Sequence, residues 1–269
     1  MTAPAVHHVD HGGDGTVVVL LHAFPLDSGI FDDLVPLLTG TARVVAIDLP
    51  GLGRSPVPES EPSMDVVALG VLGVLDGLGI EQAVVLGIST GGYAALQLAS
   101  RAPERMAALV LGSTTARRIE PDVPDERRQV ADEVEASRST EPVADSADEG
   151  LGETAHRERP ELVDRLRRTI AAADPDGVAW MARAIASRAD TTAVLRGLDR
   201  PVLLLFGDED EATPPARGEE MLLDRGEHPT RLVVLPATGH LTVLEAPHHV
   251  ADVVAHRVRD HARRLDGGR

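Results

Sequence analysis

A chain of 269 residues is long enough for one large α/β domain with an insertion and short for two ordinary domains. All 26 basic residues are arginine and there is no cysteine, which excludes Schiff-base and pyridoxal-phosphate enzymes, Walker phosphate loops, thiol nucleophiles, disulfides and thiolate metal sites. The net charge of −17 argues against nucleic acid or an anionic membrane surface as a partner; with no membrane-length apolar window and no basic-then-apolar leader, the expectation is a soluble cytoplasmic protein.

Hydrophobic residues make up 43% of the chain but aromatics only 2%, so the core is built from Val, Leu, Ala and Ile, which suits a buried parallel sheet. Trp180 and Tyr93 stand out as the single residues of their types. After a tail carrying His7, His8 and His11, short apolar runs bounded by turn residues predict strands over 17–22, 43–47, 83–87, 107–111, 202–206 and 232–235. Helices are predicted over 30–38, 64–78, 92–101, 215–225 and 247–265, the second capped by Ser63 and ended by Gly79. Strand and helix alternate, so the fold class is α/β, a doubly wound, mostly parallel central sheet. Its strand ends, and any site, then fall along one edge.

The alternation stops at Ser113 and resumes at Arg200. Between Glu120 and Asp164 there are fifteen Asp and Glu against five Arg, interrupted by Pro121, Pro124 and Pro142. Helical periodicity follows at Leu162, Leu166 and Ile170 and at Trp180, Met181 and Ile185. We expect a core domain of residues 1–112 and 200–269 and a helical lid, 113–199, inserted into it. Part of 117–155 is either a solvated helical half of that lid or without fixed structure.

Between the strand at 83–87 and the helix that follows lies Gly87-Ile88-Ser89-Thr90-Gly91. A strand turning sharply into a helix strains its central residue and crowds the second neighbours on both sides, so those must lack a side chain. Gly87 and Gly91 meet that demand, leaving an exposed serine hydroxyl at the positive end of a helix. A serine needs a base, and the base an orienting carboxylate. The strand at 202–206 is followed by Gly207-Asp208-Glu209-Asp210, and that at 232–235 by Pro236-Ala237-Thr238-Gly239-His240. Of the eleven histidines, only His240 and His22 sit at strand ends facing the expected site.

With this order of serine, acid and histidine, each beyond a strand, the chain resembles the α/β-hydrolase superfamily over nearly its whole length. The resemblance implies the α/β-hydrolase fold and a catalytic triad of Ser89, Asp210 and His240. The acid takes the fourth place of a G-x-x-D turn, with Asp208 and Glu209 as structural competitors. His22-Ala23-Phe24-Pro25 resembles the family's H-G-x-P loop, which implies an oxyanion hole of the Phe24 and Thr90 amides, with Ala23 in place of the usual glycine and His22 structural. Asp48-Leu49-Pro50-Gly51-Leu52-Gly53-Arg54-Ser55 resembles a family turn and is given no catalytic role. Ala23, Trp180, Met181 and Leu241 are expected to contact substrate, with Trp180, Met181 and Ile185 roofing an apolar acyl pocket; the alternative for these last three is packing of the lid onto the sheet.

The reaction implied is hydrolysis of a small carboxylic ester or lactone through an acyl-enzyme, with no metal or organic cofactor. The branches most similar are small serine esterases, enol-lactonases and cofactor-free perhydrolases (haloperoxidases). C–C bond hydrolases use the same triad, whereas the aspartate-nucleophile dehalogenases are excluded by Ser89. A reading of another class is a non-catalytic receptor for a small ligand on the same fold. The sequence leaves the substrate and the oligomeric state open.

Overall fold

Seven strands form the centre of the computed structural model, which describes residues 3–118 and 122–266. They are β1 (His8–Asp10), β2 (Val17–Leu21), β3 (Arg43–Ile47), β4 (Ala83–Ile88), β5 (Met106–Gly112), β6 (Val202–Gly207) and β7 (Thr230–Leu235). They lie in the order β1-β3-β2-β4-β5-β6-β7. Every neighbouring pair is parallel except β1 with β3. β4, β5 and β6 are buried at every position, as a parallel sheet covered on both faces requires.

The six strands expected from their apolar runs are all present. β1 was not expected, because His8-Val9-Asp10 has no apolar run; it exists by pairing with β3, Val9 opposite Ala46, and so covers an otherwise open edge.

Twelve α-helices surround the sheet among the described residues: α1 (Val35–Leu38), α2 (Met64–Gly77), α3 (Thr90–Arg101), α4 (Asp122–Ser137), α5 (Ser146–Glu149), α6 (Glu153–Glu158), α7 (Pro160–Ala172), α8 (Pro175–Ala186), α9 (Thr192–Gly197), α10 (Ala216–Arg225), α11 (Thr242–Glu245) and α12 (Pro247–Asp266). The Ser63 hydroxyl accepts from the Val66 amide at 3.2 Å to open α2, and Gly79, at φ +64°, follows its end.

The helix expected over 30–38 is not continuous. A 3₁₀ turn, Ser28–Phe31, is capped by the Asp27 carboxylate accepting from the Gly29 amide, and α1 starts separately. Pro36 explains the break, since it fits the first turn of a helix but not its interior. No described helix is long and apolar enough to cross a membrane.

Between β5 and β6 the chain forms α4 to α9. The acidic stretch is helical over most of 122–158, while Glu120 and Pro121 lie outside the described residues. α4 packs against α8, where Ala131 and Val134 are fully buried. Arg183 of α8 spans this pair, holding Asp132 at 2.7 Å and pairing with Glu135.

Register decides where a site can form. Leu21 lies opposite Gly87, Ile88 opposite Gly112, and Gly207 opposite Leu235. The loops leaving β2, β4, β6 and β7 therefore emerge from one carboxyl edge of the sheet.

Candidate active site

The turn after β4 is strained at one residue. Ser89 has φ 52° and ψ −113°, a conformation that costs a non-glycine residue on the order of 1–3 kcal/mol. Its neighbours are tight because β4, α3 and β2 converge here. A Cβ on Gly87 would stand 2.2 Å from the Gly91 carbonyl oxygen, and one on Gly91 would stand 2.1 Å from that of Leu21. The same crowding extends to Gly92, whose Cβ would meet Thr114 at 2.6 Å. The Thr114 hydroxyl donates to the Ser89 carbonyl at 2.8 Å, a brace with no sequence signal beyond its place after β5. α3 starts at Thr90, two residues earlier than expected, because the strained turn feeds the helix directly.

The loops after β6 and β7 bring Asp210 and His240 together. His240 Nδ1 lies 3.0 and 3.1 Å from the two carboxylate oxygens, and Asp210 is 3% exposed, so the bond is shielded from water. Asp210 Oδ1 also accepts from the Thr213 amide at 2.8 Å. With a carboxylate facing it, Nδ1 carries the proton and Nε2 keeps its lone pair. Ser89 and His240 line one cavity of about 110 Å³. That volume is small beside the several hundred Å³ usual for drug-sized ligands.

The two neighbouring acids face elsewhere. Asp208 is exposed and, among the described residues, its carboxylate meets only the Thr238 amide, at 3.4 Å. Glu209 accepts from the Thr154 hydroxyl at 2.6 Å and amide at 2.7 Å, and these bonds hold its carboxyl below the usual range.

Phe24 and Thr90 line the same cavity. Neither amide donates to a protein acceptor among the described residues, so both are available to an oxygen placed there. His22 fixes the Phe24 loop from beneath. It is wholly buried, Nδ1 donates to the Ala23 carbonyl at 2.9 Å, and Nε2 accepts from the Leu49 amide at 2.8 Å. Burial pushes its pKa down, which matches a neutral ring tying the β2 and β3 loops.

Asp48 does similar work in the β3 loop, accepting from Ser28 and Arg54 amides at 2.8 and 3.0 Å and facing His7 Nδ1 at 2.9 Å. Burial raises its carboxyl, but the donors, led by Ser28, outweigh that and leave it low.

The four expected substrate contacts do not line the cavity. Trp180 donates from its indole to the Ser60 carbonyl at 3.0 Å, pinning α8 to the loop before α2, and Met181 is fully buried in the core. Leu241 turns toward Gly150, and Ala23 is buried beneath the loop it belongs to. Instead Tyr93, Ile185 and Arg188 form walls. Tyr93 follows Ser89 by one turn of α3, a placement the elbow motif implies; the other two lie on or just past α8, where Ile185 is the one member of the expected roof that lines the cavity and Arg188 has no sequence signal.

The His240 loop is held by α5 and α6. Glu245 Oε2 accepts from the Gly152 and Gly239 amides, each at 2.9 Å, and the Leu241 amide donates to the Gly150 carbonyl at 3.0 Å. A Cβ on Gly239 would stand 2.1 Å from the Gly152 nitrogen, so only glycine permits this approach. Glu245 Oε1 is buried with no partner among the described residues. Burial pushes the Glu245 carboxyl up, the two glycine amides opposing it only in part.

A carboxyl whose folded pKa is raised favours folding most at low pH and loses that contribution as pH climbs from its unfolded pKa through its folded one. Glu245→Gln keeps an acceptor for both amides without the charge. Urea unfolding at pH 4.5 and pH 8 is expected to show the variant gaining on the wild type at the higher pH; parallel stabilities would remove the buried charge as the cause.

Sequence and fold comparisons agree with this fold. Residues 16–247 match a family described as the alpha/beta hydrolase fold. The chain is 31% identical over 248 residues to the pimeloyl-[acyl-carrier protein] methyl ester esterase of Neisseria meningitidis, covering 84% of this chain and 72% of that protein. It is 31% identical over 218 residues to 3-oxoadipate enol-lactonase 2 of Acinetobacter baylyi, covering 80% and 79%. Among solved structures, a thermophilic esterase from Thermogutta terrifontis superposes with a TM-score of 0.90 at 32% identity, covering 96% of this chain and 94% of that one. The enol-lactonase of Burkholderia xenovorans gives 0.84 at 26%, covering 94% and 96%. The seven-stranded sheet and the match over most of the chain place the protein in the α/β-hydrolase family, as an enzyme of its ester-hydrolase branches.

Proposed function

We propose that the protein hydrolyses a small carboxylic ester or lactone through an acyl-enzyme formed on Ser89. His240 Nε2 takes the Ser89 proton as the hydroxyl oxygen attacks the carbonyl carbon, and Asp210 stabilises the imidazolium that results. The Phe24 and Thr90 amides receive the oxyanion of the tetrahedral intermediate. His240 returns the proton to the leaving alkoxide, the C–O bond breaks, and the acyl group remains on Ser89. Water, deprotonated by the same histidine, then releases the acid and restores the hydroxyl.

The observation that carries this reading is the buried Asp210–His240 pair opening its free nitrogen to the cavity that Ser89 lines from a strained turn. The named activities of the relatives, one on a methyl ester and one on an enol-lactone, support the bond class. We read residues 113–199 as a cap over this site, since Arg188 and Ile185 from that stretch complete the cavity walls.

The test is labelling by a fluorophosphonate, with the adduct located by peptide mass spectrometry. Modification at Ser89, slowed by short esters or lactones and lost on denaturation, is the expected result. An intact protein that remains unlabelled, or that is modified at another serine, sets the reading aside.

A further inference from the structure

Carboxylates outnumber arginines 43 to 26 in this chain, and most arginines described here have one close by. Three that form no ion pair among the described residues, Arg118, Arg127 and Arg188, line the Ser89 cavity together; Asp190 accepts from the Arg118 amide at 3.0 Å. Glu149 is the single carboxylate of that lining, and it forms no ion pair among the described residues.

Arg188 carries the argument. It is 7% exposed, and its guanidinium lies over the Tyr93 ring, 4.2 Å from the centroid. Only Nη2 is engaged, donating to the Arg117 carbonyl at 2.6 Å. Nε and Nη1 donate to nothing among the described residues.

The other buried arginine among the described residues shows what a structural role looks like. Arg225, 1% exposed, spends its guanidinium on Thr230 and on the carbonyls of Leu195, Leu198 and Arg200. A guanidinium stays charged in a protein, and a buried charge without a contacting counter-charge is costly; the attraction of nearby Asp190 is outweighed by burial at Arg188. Stacking on Tyr93 offsets part of that cost; a bound anion would offset the rest. Arg127, 5.6 Å from the Phe24 ring centroid, and the exposed Arg118 add positive potential at the same place. Behind Asp210 the next groove is lined by Asp148, Glu153, Asp208 and Glu211 among others, so an anion is repelled there.

We propose that the substrate of this enzyme carries a carboxylate, received by Arg188 with Arg118 and Arg127 around it, so that the preferred esters are anionic, such as monoesters of short dicarboxylic acids. Tyr93, beneath Arg188, follows Ser89 by four residues, a rise of about 6 Å along α3. That separation suits a short spacer between the scissile carbonyl and the carboxylate, as does the small cavity. The proposal rests on the ester-hydrolase reading, and its test is therefore made on binding.

Calorimetric titration of the Ser89→Ala protein uses two anionic probes and their neutral counterparts. Monomethyl glutarate is set against dimethyl glutarate, and 4-acetoxybutanoate against its methyl ester. One anionic probe is expected to bind at least about tenfold tighter than its counterpart, the size of one charge-assisted pair, and which one does so tells whether the carboxylate sits on the acyl or the alcohol side. Adding Arg188→Gln should erase most of that preference. Arg118→Gln and Arg127→Gln, at less buried positions, should each lower it by a smaller factor, keeping the test intact if the Arg188 variant does not fold. If neither anion outbinds its neutral counterpart, the proposal is overturned. Turnover of dimethyl glutarate by the wild type reads the hydrolase assignment separately.

Discussion

Ser89→Ala is expected to lower kcat for a short-chain nitrophenyl ester by at least about 10⁴-fold, with little change in stability. The side chain lost is one hydroxyl that makes no hydrogen bond among the described residues, so the fold gives up almost nothing with it. The backbone strain at φ 52° stays, because alanine has the same Cβ. Ser89→Gly separates the two effects. Glycine tolerates this conformation, which relieves about 1–3 kcal/mol, and it loses about 0.5–1 kcal/mol to the greater freedom of the unfolded chain.

The glycine variant should thus be equally inactive and more stable than the alanine variant by on the order of 1 kcal/mol, read from urea denaturation midpoints. Serine would then be kept at a position where it costs stability, as expected where strain serves the chemistry. Activity within tenfold of wild type in Ser89→Ala would transfer the nucleophile's role to water or to another residue.

What could be read from the sequence follows the range of the forces involved. Buried parallel strands announce themselves by continuous apolar runs, so β2 to β7 were legible; β1, three residues recruited by the edge of β3, was not, since its pairing is tertiary. Pro36 shows the same limit for helices, where the period over 30–38 was right and the proline divided it. The elbow was legible because sterics act over two residues on either side of Ser89, and the glycines record it. The candidates Asp210 and His240 follow strands, but place alone does not separate Asp210 from Asp208 and Glu209; that choice comes from the resemblance to the family's G-x-x-D turn.

The walls of the cavity were not. Trp180 and Met181 share a helix with Ile185, and periodicity alone does not say which face of α8 meets the cavity and which meets the Ser60 loop. Arg188 and Glu245 act through partners far away in sequence, Tyr93 and Arg117 for one, Gly152 for the other. No local pattern encodes such contacts. Thr154 is a further case, since its bonds to Glu209 remove one of the competing acids from the histidine only once the fold is formed.

Asp210→Asn is expected to cost about 10⁴-fold in kcat, whereas Asp208→Asn should remain within about threefold of wild type, the difference being one of tautomer. In the wild type both Asp210 oxygens face His240 Nδ1, so Nδ1 must hold the proton and Nε2 is free to accept one from Ser89. An asparagine in the same place already accepts from the Thr213 amide through its oxygen, which turns its NH₂ toward the ring. Nδ1 then becomes the acceptor, the proton moves to Nε2, and the base is occupied before the reaction begins. The variant also lacks the negative charge that stabilises the imidazolium. Asp208, exposed and 3.4 Å from the Thr238 amide, contributes neither effect. Steady-state kinetics on one ester, with chemical-shift observation of the His240 ring nitrogens, would check both the rate and its cause. A large loss in Asp208→Asn with Asp210→Asn near wild type would move the acid to Asp208, and would require the β6–α10 loop to reorganise when substrate binds.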